Sequence, residues 1–544
     1  MRGRTWQSMS RKDGTDMRGI KSRLIERVIC RMTGSMISFT TVFIICMSLL
    51  VCALPFGEVY AASPASLSGQ YAALDADQTA VIKVKNASSR VKWSVSNKKL
   101  VTVIKTSGKK NQKITVKAAK KKGYCTVKAK VGKKTLKCRI RCTGRQLSLS
   151  SSTTELTKKI KGGYVTGRKS GSTFANSAAD FSFSLLRSTA AFDRSVSENI
   201  LISPDSVMTA LVMAENGAKG RTRSEIKNTV GKGISAADFN DYLSGMNQRL
   251  STSKGVEYNV ANSIWIRKGR IRMKNSFLKK NKTYHNARIF RAPFSKTTVK
   301  DINKWVSVYT DKMVRKIVDT LSPDDRVILI NAIAFEGKWA DQFSDPQKEI
   351  FTRDNGSTQK SRMLHQTKQM EYMSVDGGKG FVKYYEGSKI AFVGLLPPEG
   401  MDVNTYMSGI TGREFIAAWK SKGYRRLDIK IPEFKYDYAA SMVAPLKSMG
   451  IRTAFSGSAD FSGMFIPTSS TRGLCIDEIL HKTHIELDKN GTKAAAVTAI
   501  MMKASTAMPQ DDPITEVHLD RPFVYALVDC KTGIPLFLGV LKHL

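Results

Sequence analysis

Acidic residues are scarce in this sequence. It contains 45 aspartate and glutamate residues against 88 lysine and arginine residues, which gives a formal net charge of +43 at pH 7. The stretch from Val81 to Arg145 is rich in lysine and very poor in acids. Such a surface either attracts an anionic cell-wall or surface polymer, or is a solvated face with no partner. Nucleic acid is the least favoured polyanion, because the leader described below directs this region out of the cell.

Motifs for catalysis and metal binding are also missing. The sequence contains no GxSxG, HExxH or phosphate-binding loop pattern, so it gives no basis for a hydrolase or a nucleotide-dependent enzyme. His484-Ile485-Glu486 imitates half of a zinc deaminase motif, but the proline-cysteine partner is absent, and we interpret these residues as part of a strand. We therefore predict no catalytic residue, no metal and no cofactor.

The cysteines are too irregularly spaced for a metal site. Of the eight, three lie in the N-terminal leader (Cys30, Cys46 and Cys52), and five follow it (Cys125, Cys138, Cys142, Cys475 and Cys530). No CxxC pair is repeated. The stretch "CTVKAKVGKKTLKCRIRC" is typical of two strands joined by a turn, so a disulfide from Cys125 to either Cys138 or Cys142 stays open.

One long apolar run lies near the N-terminus. Met36 to Phe56 is uncharged, with basic residues before it and small residues such as Ala61 after it. This order of regions is typical of a secretory signal. The run also approaches the roughly 20 residues that span a bilayer, so an uncleaved signal anchor is the alternative. We interpret residues 1–62 as a basic leader with a signal peptide or signal anchor, and we predict a secreted or cell-surface protein.

Residues 63–145 consist of short runs in which polar and β-branched residues alternate between turn formers, as in "VIKVK", "KITVKA" and "CTVKAKV". This spacing predicts a small all-β sandwich. The stretch "VKWSVSNKKLVTVIK" resembles the bacterial immunoglobulin-like modules of exported surface proteins, with Trp93 as the core aromatic residue. Residues 146–172 are rich in Ser, Thr, Gly and Lys, and we interpret them as a linker.

From residue 173 to 544 the pattern changes to helices followed by strands. Ser203-Pro204 predicts a helix cap and first turn, and "VKDINKWVSVYTDKMVRKIV" is amphipathic. Segments such as "RVILINAIAF" and "IPLFLGVL" favour strands. Early helices and later strands indicate an α+β domain.

Seven segments of this domain resemble, in order, the serpin family. They are "NILISPDSVMTALVMAENGAKGRTRSEI", "ANSIWI", "INKWVSVYT", "LINAIAFEGKWADQF", "LDIKIPEFKYDYAASMVAPLKSMGIRTAFSGSADFSGM", "ILHKTHIELDKNGTKAAAVTA" and "LDRPFVYALVDCKTGIPLFLGVL". The resemblance implies a serpin fold, in which helices and a central mixed β-sheet support an exposed reactive loop, here residues 491–516.

The family implies that this loop inserts as a new strand in the central sheet after a protease cuts it. Its hinge would be Gly491, Thr492, Lys493, Ala494, Ala495, Ala496, Val497 and Thr498. Because strand side chains alternate between faces, Thr492, Ala494, Ala496 and Thr498 would face the apolar layer under the sheet. Their small size suits insertion, since overpacking destabilises a core. No proline interrupts the segment before Pro509.

By the family's usual spacing, the cleaved bond lies between Ser505 and Thr506. The loop is longer here, so bonds at Ala504, Ala507 and Met508 are alternatives. Small or apolar residues at the cut predict an elastase-like or subtilisin-like serine protease as the target, and a cysteine protease would also form the acyl-enzyme. We therefore expect an exported, monomeric suicide-substrate inhibitor. The alternative is a non-inhibitory serpin that acts as a binding or adhesion protein at the cell surface.

The resemblance also implies roles inside the domain. Ser203, Ser206, Asn331 and His481 match the polar cluster that controls sheet opening, and Trp339 matches the tryptophan at the top of the sheet. Ordinary buried hydrogen bonding and core packing explain the same residues equally well. Lys489 and Lys493 depart from the family pattern, because both replace acidic residues. Lys489 puts in doubt an ion pair that holds the top of the sheet in relatives.

Overall fold

The computed structural model describes residues 64–160, 171–192, 198–269, 271–468, 473–492 and 513–544. The predicted leader and most of the predicted reactive loop lie outside these ranges. Residues 64–544 belong to one compact unit. Within it we call residues 64–145 the β module and residues 171–544 the body.

The β module consists of eight strands in two four-stranded sheets. The strands are β1 (Ser66–Leu67), β2 (Tyr71–Leu74), β3 (Thr79–Lys85), β4 (Lys92–Val95), β5 (Val101–Ser107), β6 (Lys113–Ala118), β7 (Gly123–Val131) and β8 (Lys134–Cys142). One sheet has the order β1-β3-β6-β5 and the other the order β2-β8-β7-β4. Only the pairing of β2 with β8 is parallel within the module.

Alternate side chains of both sheets fill one apolar core. Ile82 and Ile114 from the first sheet and Val127 and Ile140 from the second are fully buried. This is the burial that a period-two pattern predicts. The predicted β domain is therefore present, while its immunoglobulin-like type stays a prediction. Trp93 is not in the core as expected: it is half-buried at the rim, where its indole N–H donates a 2.7 Å hydrogen bond to a backbone carbonyl.

The three cysteines of the β module are buried free thiols on the β7–β8 hairpin. The strand register places Cys125 opposite Ile140, so Cys138 and Cys142 are its two diagonal neighbours. Burial, with the neighbouring Cys125 adding to it, raises the pKa of Cys138 to about 12 and that of Cys142 to about 11. The β module therefore contains no disulfide in this structure, and the register explains why the sequence pattern did not favour one partner of Cys125.

The body combines helices with two large sheets. Its helices are α1 (Ser172–Phe192), α2 (Pro204–Glu215), α3 (Gly220–Gly231), α4 (Ala236–Ser251), α5 (Asn275–His285), α6 (Lys296–Tyr309), α7 (Val403–Gly409), α8 (Gly412–Ser421) and α9 (Val443–Ser448), with a 3-10 turn at Thr453–Phe455. Its strands, together with β9 from the preceding segment, are β9 (Thr154–Glu155), β10 (Ile200–Ile202), β11 (Val256–Arg267), β12 (Arg288–Ala292), β13 (Val327–Lys338), β14 (Gln347–Thr352), β15 (Thr358–Val375), β16 (Gly378–Tyr384), β17 (Ile390–Leu396), β18 (Gly423–Pro432), β19 (Phe434–Ser441), β20 (Glu478–Asp488), β21 (Gly491–Thr492), β22 (Thr515–His518), β23 (Phe523–Asp529) and β24 (Pro535–Leu541).

The central sheet has the strand order β19-β20-β21-β13-β11-β12-β9. The second sheet has the order β10-β24-β23-β17-β16-β15-β18-β22, and β14 pairs with β15 beside this path. The α+β architecture predicted from the order of helical and strand patterns is confirmed.

The two faces of the central sheet are covered by different helices. Trp265 of β11 packs with Phe290 and with Trp305 of α6 on one face. Ile264 and Ile266, the neighbours of Trp265, belong to the main core on the other face, as does α2. Every residue of α2 is buried, as expected of a helix in the centre of a large domain. The predicted Ser203-Pro204 start of α2 is confirmed, since the Ser203 side chain caps the helix.

The described part of the segment predicted as a linker lies along the body. β9 pairs with β12 at the edge of the central sheet. The Ser150 hydroxyl donates a 2.5 Å hydrogen bond to Asp301 of α6, and Leu147 and Leu149 pack against the same apolar cluster as α6. Residues 146–160 therefore run from the β module along the surface of the body with fixed contacts.

Candidate functional site

The candidate site lies between β13 and β20, at the centre of the central sheet. These strands pair in parallel over five positions, from Ile328 opposite Glu478 to Ala332 opposite Lys482. Beyond Ala332 they separate, and β21 lies between them, antiparallel to both: Thr492 is opposite Gly337 on one side and Leu487 on the other. We call the space between β13 and β20 the slot and the end that holds β21 its upper end.

The first residue of the predicted hinge fits only as glycine. Gly491 has a φ of +154°, and a Cβ at this position would lie 2.1 Å from the carbonyl oxygen of Gly337. No side chain tolerates that contact without movement of the backbone. The next residue, Thr492, is buried, and its hydroxyl lies 2.6 Å from the hydroxyl of Tyr385. The start of the hinge is thus fixed in the sheet.

Trp339, predicted at the top of the sheet, closes the upper end of the slot. Its indole N–H donates a 2.9 Å hydrogen bond to the carbonyl of Asp488, and its backbone N–H donates one of the same length to Asn490. Its ring stacks on Tyr385, with 4.4 Å between ring centroids. Trp339 therefore holds the turn between β20 and β21 as well as filling the core.

Lys383 is a feature of this end that sequence reasoning missed. Its ammonium lies 3.9 Å from the centroid of the Phe343 ring and donates a 2.7 Å hydrogen bond to Gln366. Burial lowers its pKa to about 7, although Asp341 acts in the opposite direction. A lysine within a strand usually faces solvent, so only the folded sheet shows that this one is buried among aromatic rings.

Four residues predicted as a polar cluster meet under the lower part of the slot. The backbone N–H of Ser203 donates a 3.0 Å hydrogen bond to Nε2 of His481. Nε2 therefore accepts, and Nδ1 carries the proton that is donated over 2.6 Å to Oδ1 of Asn331. Burial lowers the pKa of His481 to about 3, which keeps the imidazole neutral. Ser203 also donates its hydroxyl to the carbonyl of Leu536 over 2.8 Å.

Asn262 of β11 completes this cluster and was not singled out from the sequence. Its Oδ1 accepts a 3.1 Å hydrogen bond from Asn331 and a 3.2 Å bond from the Ser206 hydroxyl. The Ser206 side chain thus joins the cluster through Asn262, and the Ser206 backbone N–H donates to the Ser203 hydroxyl. The one available signal was its place in "ANSIWI", an apolar strand in which an asparagine needs a buried partner.

A second buried polar group lies beside the cluster. Asp205 lies in the first turn of α2 and accepts a hydrogen bond from the Tyr258 hydroxyl. The side-chain amide of Asn247 donates to Asp205 when its nitrogen faces the carboxylate. Burial raises the pKa of Asp205 to about 7, against the effect of both hydrogen bonds. Asp205 is therefore a carboxyl group that titrates near neutral pH within the core.

Lys489 takes part in an ion pair at the upper end of the slot. Its ammonium contacts the carboxylate of Asp345, and its backbone N–H donates to Glu433. The sequence placed lysine where the family pattern has an acid, which made an ion pair at this position doubtful. The structure contains one, with Lys489 as its cation. Both side chains are well exposed, so the pair contributes little to stability.

Several predicted site residues lie outside the described part of the chain. They are the hinge residues Lys493, Ala494, Ala495, Ala496, Val497 and Thr498, and the residues at the predicted cut, Ala504, Ser505, Thr506, Ala507 and Met508. Among the residues that the structure does describe, no group of three His, Cys, Asp or Glu side chains could hold a metal ion. In the same ranges, no helix is long and apolar enough to cross a membrane.

Comparison with known proteins points to one family. The family model for serpin (serine protease inhibitor) matches residues 176–543, which leaves out the β module. A serpin-like protein of Thermococcus kodakarensis is 28% identical over 374 residues, covering 67% of this chain and 84% of that protein. Neuroserpin of Mus musculus is 28% identical over 364 residues, covering 63% and 85% respectively.

The solved structures agree with the sequence matches. The native state of the thermophilic serpin tengpin superimposes with a TM-score of 0.67 at 35% identity. The match covers 72% of this chain and 100% of tengpin.

Proposed function

Because the chain belongs to the serpin family, we propose that it is an exported suicide-substrate inhibitor of serine proteases, which traps its target by inserting the cleaved reactive loop into the slot. The position of β21 carries this proposal. β21 already lies between β13 and β20 and runs antiparallel to both. A chain that continued past Thr492 in the same direction would pair with both strands.

The registers of β21 allow this continuation to be specified. If β21 were extended in these registers, Ala494 would lie opposite Ile485, Ala496 opposite Thr483, and Thr498 opposite His481. These β20 residues are all buried. Residues directly opposite in a ladder share a face, so the small hinge residues would occupy the buried face. The sequence therefore suits the slot at each of these positions.

Insertion would exchange a short ladder for a longer one. The parallel pairing of β13 with β20 covers five positions and must be broken. A strand of about twelve residues with a partner on each side adds on the order of twenty backbone hydrogen bonds at roughly 0.5–1.5 kcal/mol each. This gain is comparable to the stability of a whole domain. It would supply the work needed to displace and distort a bound protease.

The target is proposed from the residues at the predicted cut. Serine, alanine and methionine near Ser505 suit a protease with a small apolar primary pocket, elastase-like or subtilisin-like. The protease would supply the nucleophile, so no catalytic residue is needed in this chain. Export is proposed from the apolar run Met36 to Phe56, which is typical of a secretory signal. N-terminal sequencing of the protein recovered from the culture medium tests it.

Mixing the purified protein with elastase and with subtilisin tests the inhibitory function. We expect a covalent complex that survives SDS and heat, and a cut near Ser505 that mass spectrometry locates. Ala494→Arg places a bulky charge on the buried face of the inserting strand and should abolish the complex without preventing cleavage. Lys493→Arg, one residue away and on the other face, is the matched control. Cleavage of the unmodified protein without any complex would support the alternative, a non-inhibitory binding or adhesion protein.

A further inference from the structure

The β module is fixed to the body by a buried polar contact. Asp75, just after β2, accepts hydrogen bonds from Arg288 of β12 (2.5 Å), Tyr309 of α6 (2.7 Å) and Thr143 of the module itself (2.7 Å). Arg288 donates a further 2.7 Å hydrogen bond to Glu155 of β9. Burial alone would raise the pKa of Asp75. Arg288 and the other groups that contact Asp75 outweigh burial and hold this pKa below the ordinary value for aspartate. The module is thus docked on the body through an ion pair.

This docking leaves a cleft of about 750 Å³ next to the ion pair. The β module forms one wall, residues 146–160 form another, and α5 and β12 of the body form a third. Pockets of this size commonly hold small molecules or parts of larger ligands. The cleft exists only because the module is docked, since neither part encloses it alone.

Cations outnumber carboxylates among the charged side chains that line the cleft. They comprise five cations (Arg145, Lys158, Lys159, Lys282 and Arg288) and three carboxylates (Asp75, Asp77 and Glu155). Each carboxylate already has a cation: Asp75 and Glu155 share Arg288, and Asp77 pairs with Lys117. Arg145 pairs with Asp311. Lys158, Lys159 and Lys282 form no ion pair or hydrogen bond with any residue in the described ranges.

Lys282 points most clearly to a ligand. It lies in the last turn of α5, where its half-buried side chain lines the cleft. Burial, and then the neighbouring Arg288, lower its pKa to about 8, so most of the population is still protonated at neutral pH. The nearby carboxylates Glu155 and Asp75 act in the opposite direction, but both are already paired with Arg288. Partial desolvation of a cation that has no ion pair of its own is costly. A bound anion would remove that cost.

We propose that this cleft binds a multiply charged oxyanion of the phosphate or sulfate type through Lys158, Lys159 and Lys282. Ammonium groups bind such oxyanions as point charges and donate up to three hydrogen bonds each. The oxyanion belongs either to a small free molecule or to the repeating unit of an anionic polymer, and both present the same group to the three lysines. This site is separate from the slot and does not depend on protease inhibition.

Isothermal titration calorimetry with inorganic pyrophosphate and with long-chain polyphosphate tests the site on the purified full chain. We expect both to bind at low salt. Lys282→Met should weaken pyrophosphate binding about tenfold or more, the loss of one charge-assisted contact. Lys279→Gln removes an exposed lysine of the same helix α5 that does not line the cleft. This control should change binding by no more than about twofold.

The results distinguish a small free ligand from an anionic polymer, and they also show whether the cleft binds an oxyanion at all. Similar affinity for the two probes per bound site indicates a small free ligand, and much tighter binding of polyphosphate indicates a polymer. If Lys282→Met does not fold, the exposed double variant Lys158→Gln/Lys159→Gln should show the same weakening. Absence of binding at millimolar pyrophosphate, or equal weakening by Lys279→Gln, overturns the proposal. Neither result depends on whether the protein inhibits a protease.

Discussion

The side chains of His481 and Asn331 are joined by a 2.6 Å hydrogen bond across the pair of strands that an inserting loop would separate. His481 belongs to β20 and Asn331 to β13, and the two residues are directly opposite in the parallel ladder. Opening the slot at this level breaks that bond, so the polar cluster resists the movement that the proposed inhibition requires.

Asn331→Ala should therefore weaken the closed form of the sheet. The substitution leaves the Nδ1 proton of His481 buried without an acceptor, which costs about 1–3 kcal/mol. We expect a lower thermal midpoint for the intact protein and faster spontaneous loss of inhibitory activity on storage at moderate temperature. Differential scanning fluorimetry and timed activity assays measure these effects. Lys482→Gln, beside His481 on the same strand, is the control, and an equal effect there would argue against the cluster.

Asp205→Asn should stabilise the protein at alkaline pH. Burial raises the pKa of Asp205 in the folded state to about 7, against 3.8 for an aspartate in water. The folded state thus binds the proton more tightly than the unfolded state does, so stability falls as the pH rises from about 4 to about 7, and the full loss is present above pH 7. Asparagine imitates the protonated form and keeps an oxygen for Tyr258. The increase in thermal midpoint over wild type should be largest at pH 8 and should shrink as the pH falls towards 4. An increase that does not vary with pH would refute this explanation.

The free energy of unfolding of the Asp205→Asn variant should fall on acidification. This variant is used because Asp205 itself contributes a pH dependence of the opposite sign. Burial lowers the pKa of both His481 and His285 to about 3 in the folded state, whereas an unfolded histidine has a pKa of about 6.5. Between these values the unfolded state binds more protons, so stability present above pH 6.5 is lost as the pH falls towards 3. Urea unfolding at pH 7, 6, 5 and 4 measures this loss. His285→Gln should reduce its slope, and an unchanged slope would exclude His285 as a source.

Patterns that are local in sequence were predictable, and long-range polar contacts were not. The cap at Ser203 and the alternating burial of β20 follow from neighbouring residues. The contact of Asp75 with Arg288 joins residues more than 200 positions apart, and neither residue has a local signal for it. The same holds for Asn262, whose partners come from α2 and β13. The linker prediction rested on composition, which cannot show that Ser150 binds Asp301.

Gly491→Ala should impair both stability and loop insertion. The added Cβ would meet the Gly337 carbonyl oxygen at 2.1 Å, and alanine rarely adopts the φ of Gly491. We expect β21 to detach from the slot, with a loss of about 1–3 kcal/mol in stability. Thermal melting and the stoichiometry of protease inhibition measure the two effects. Gly457→Ala, which meets nothing within 4 Å, is the control. A thermal midpoint and an inhibition stoichiometry equal to those of the wild type would show that the backbone at the upper end of the slot can move to accommodate the Cβ.

Lys493→Glu should slow loop insertion, although Lys493 itself lies outside the described residues. If the loop inserted in the registers of β21, Lys493 would lie between Glu336 of β13 and Glu486 of β20. The lysine would then be flanked by two carboxylates, which explains why a basic residue is suitable where the family pattern has an acid. A glutamate there adds repulsion on the order of 1 kcal/mol, or roughly fivefold in insertion rate. More protein should then be cleaved per protease molecule trapped, as measured by titration against a fixed amount of protease. Lys493→Gln should have a smaller effect, and an equal effect of the two variants would show that charge at this position does not matter.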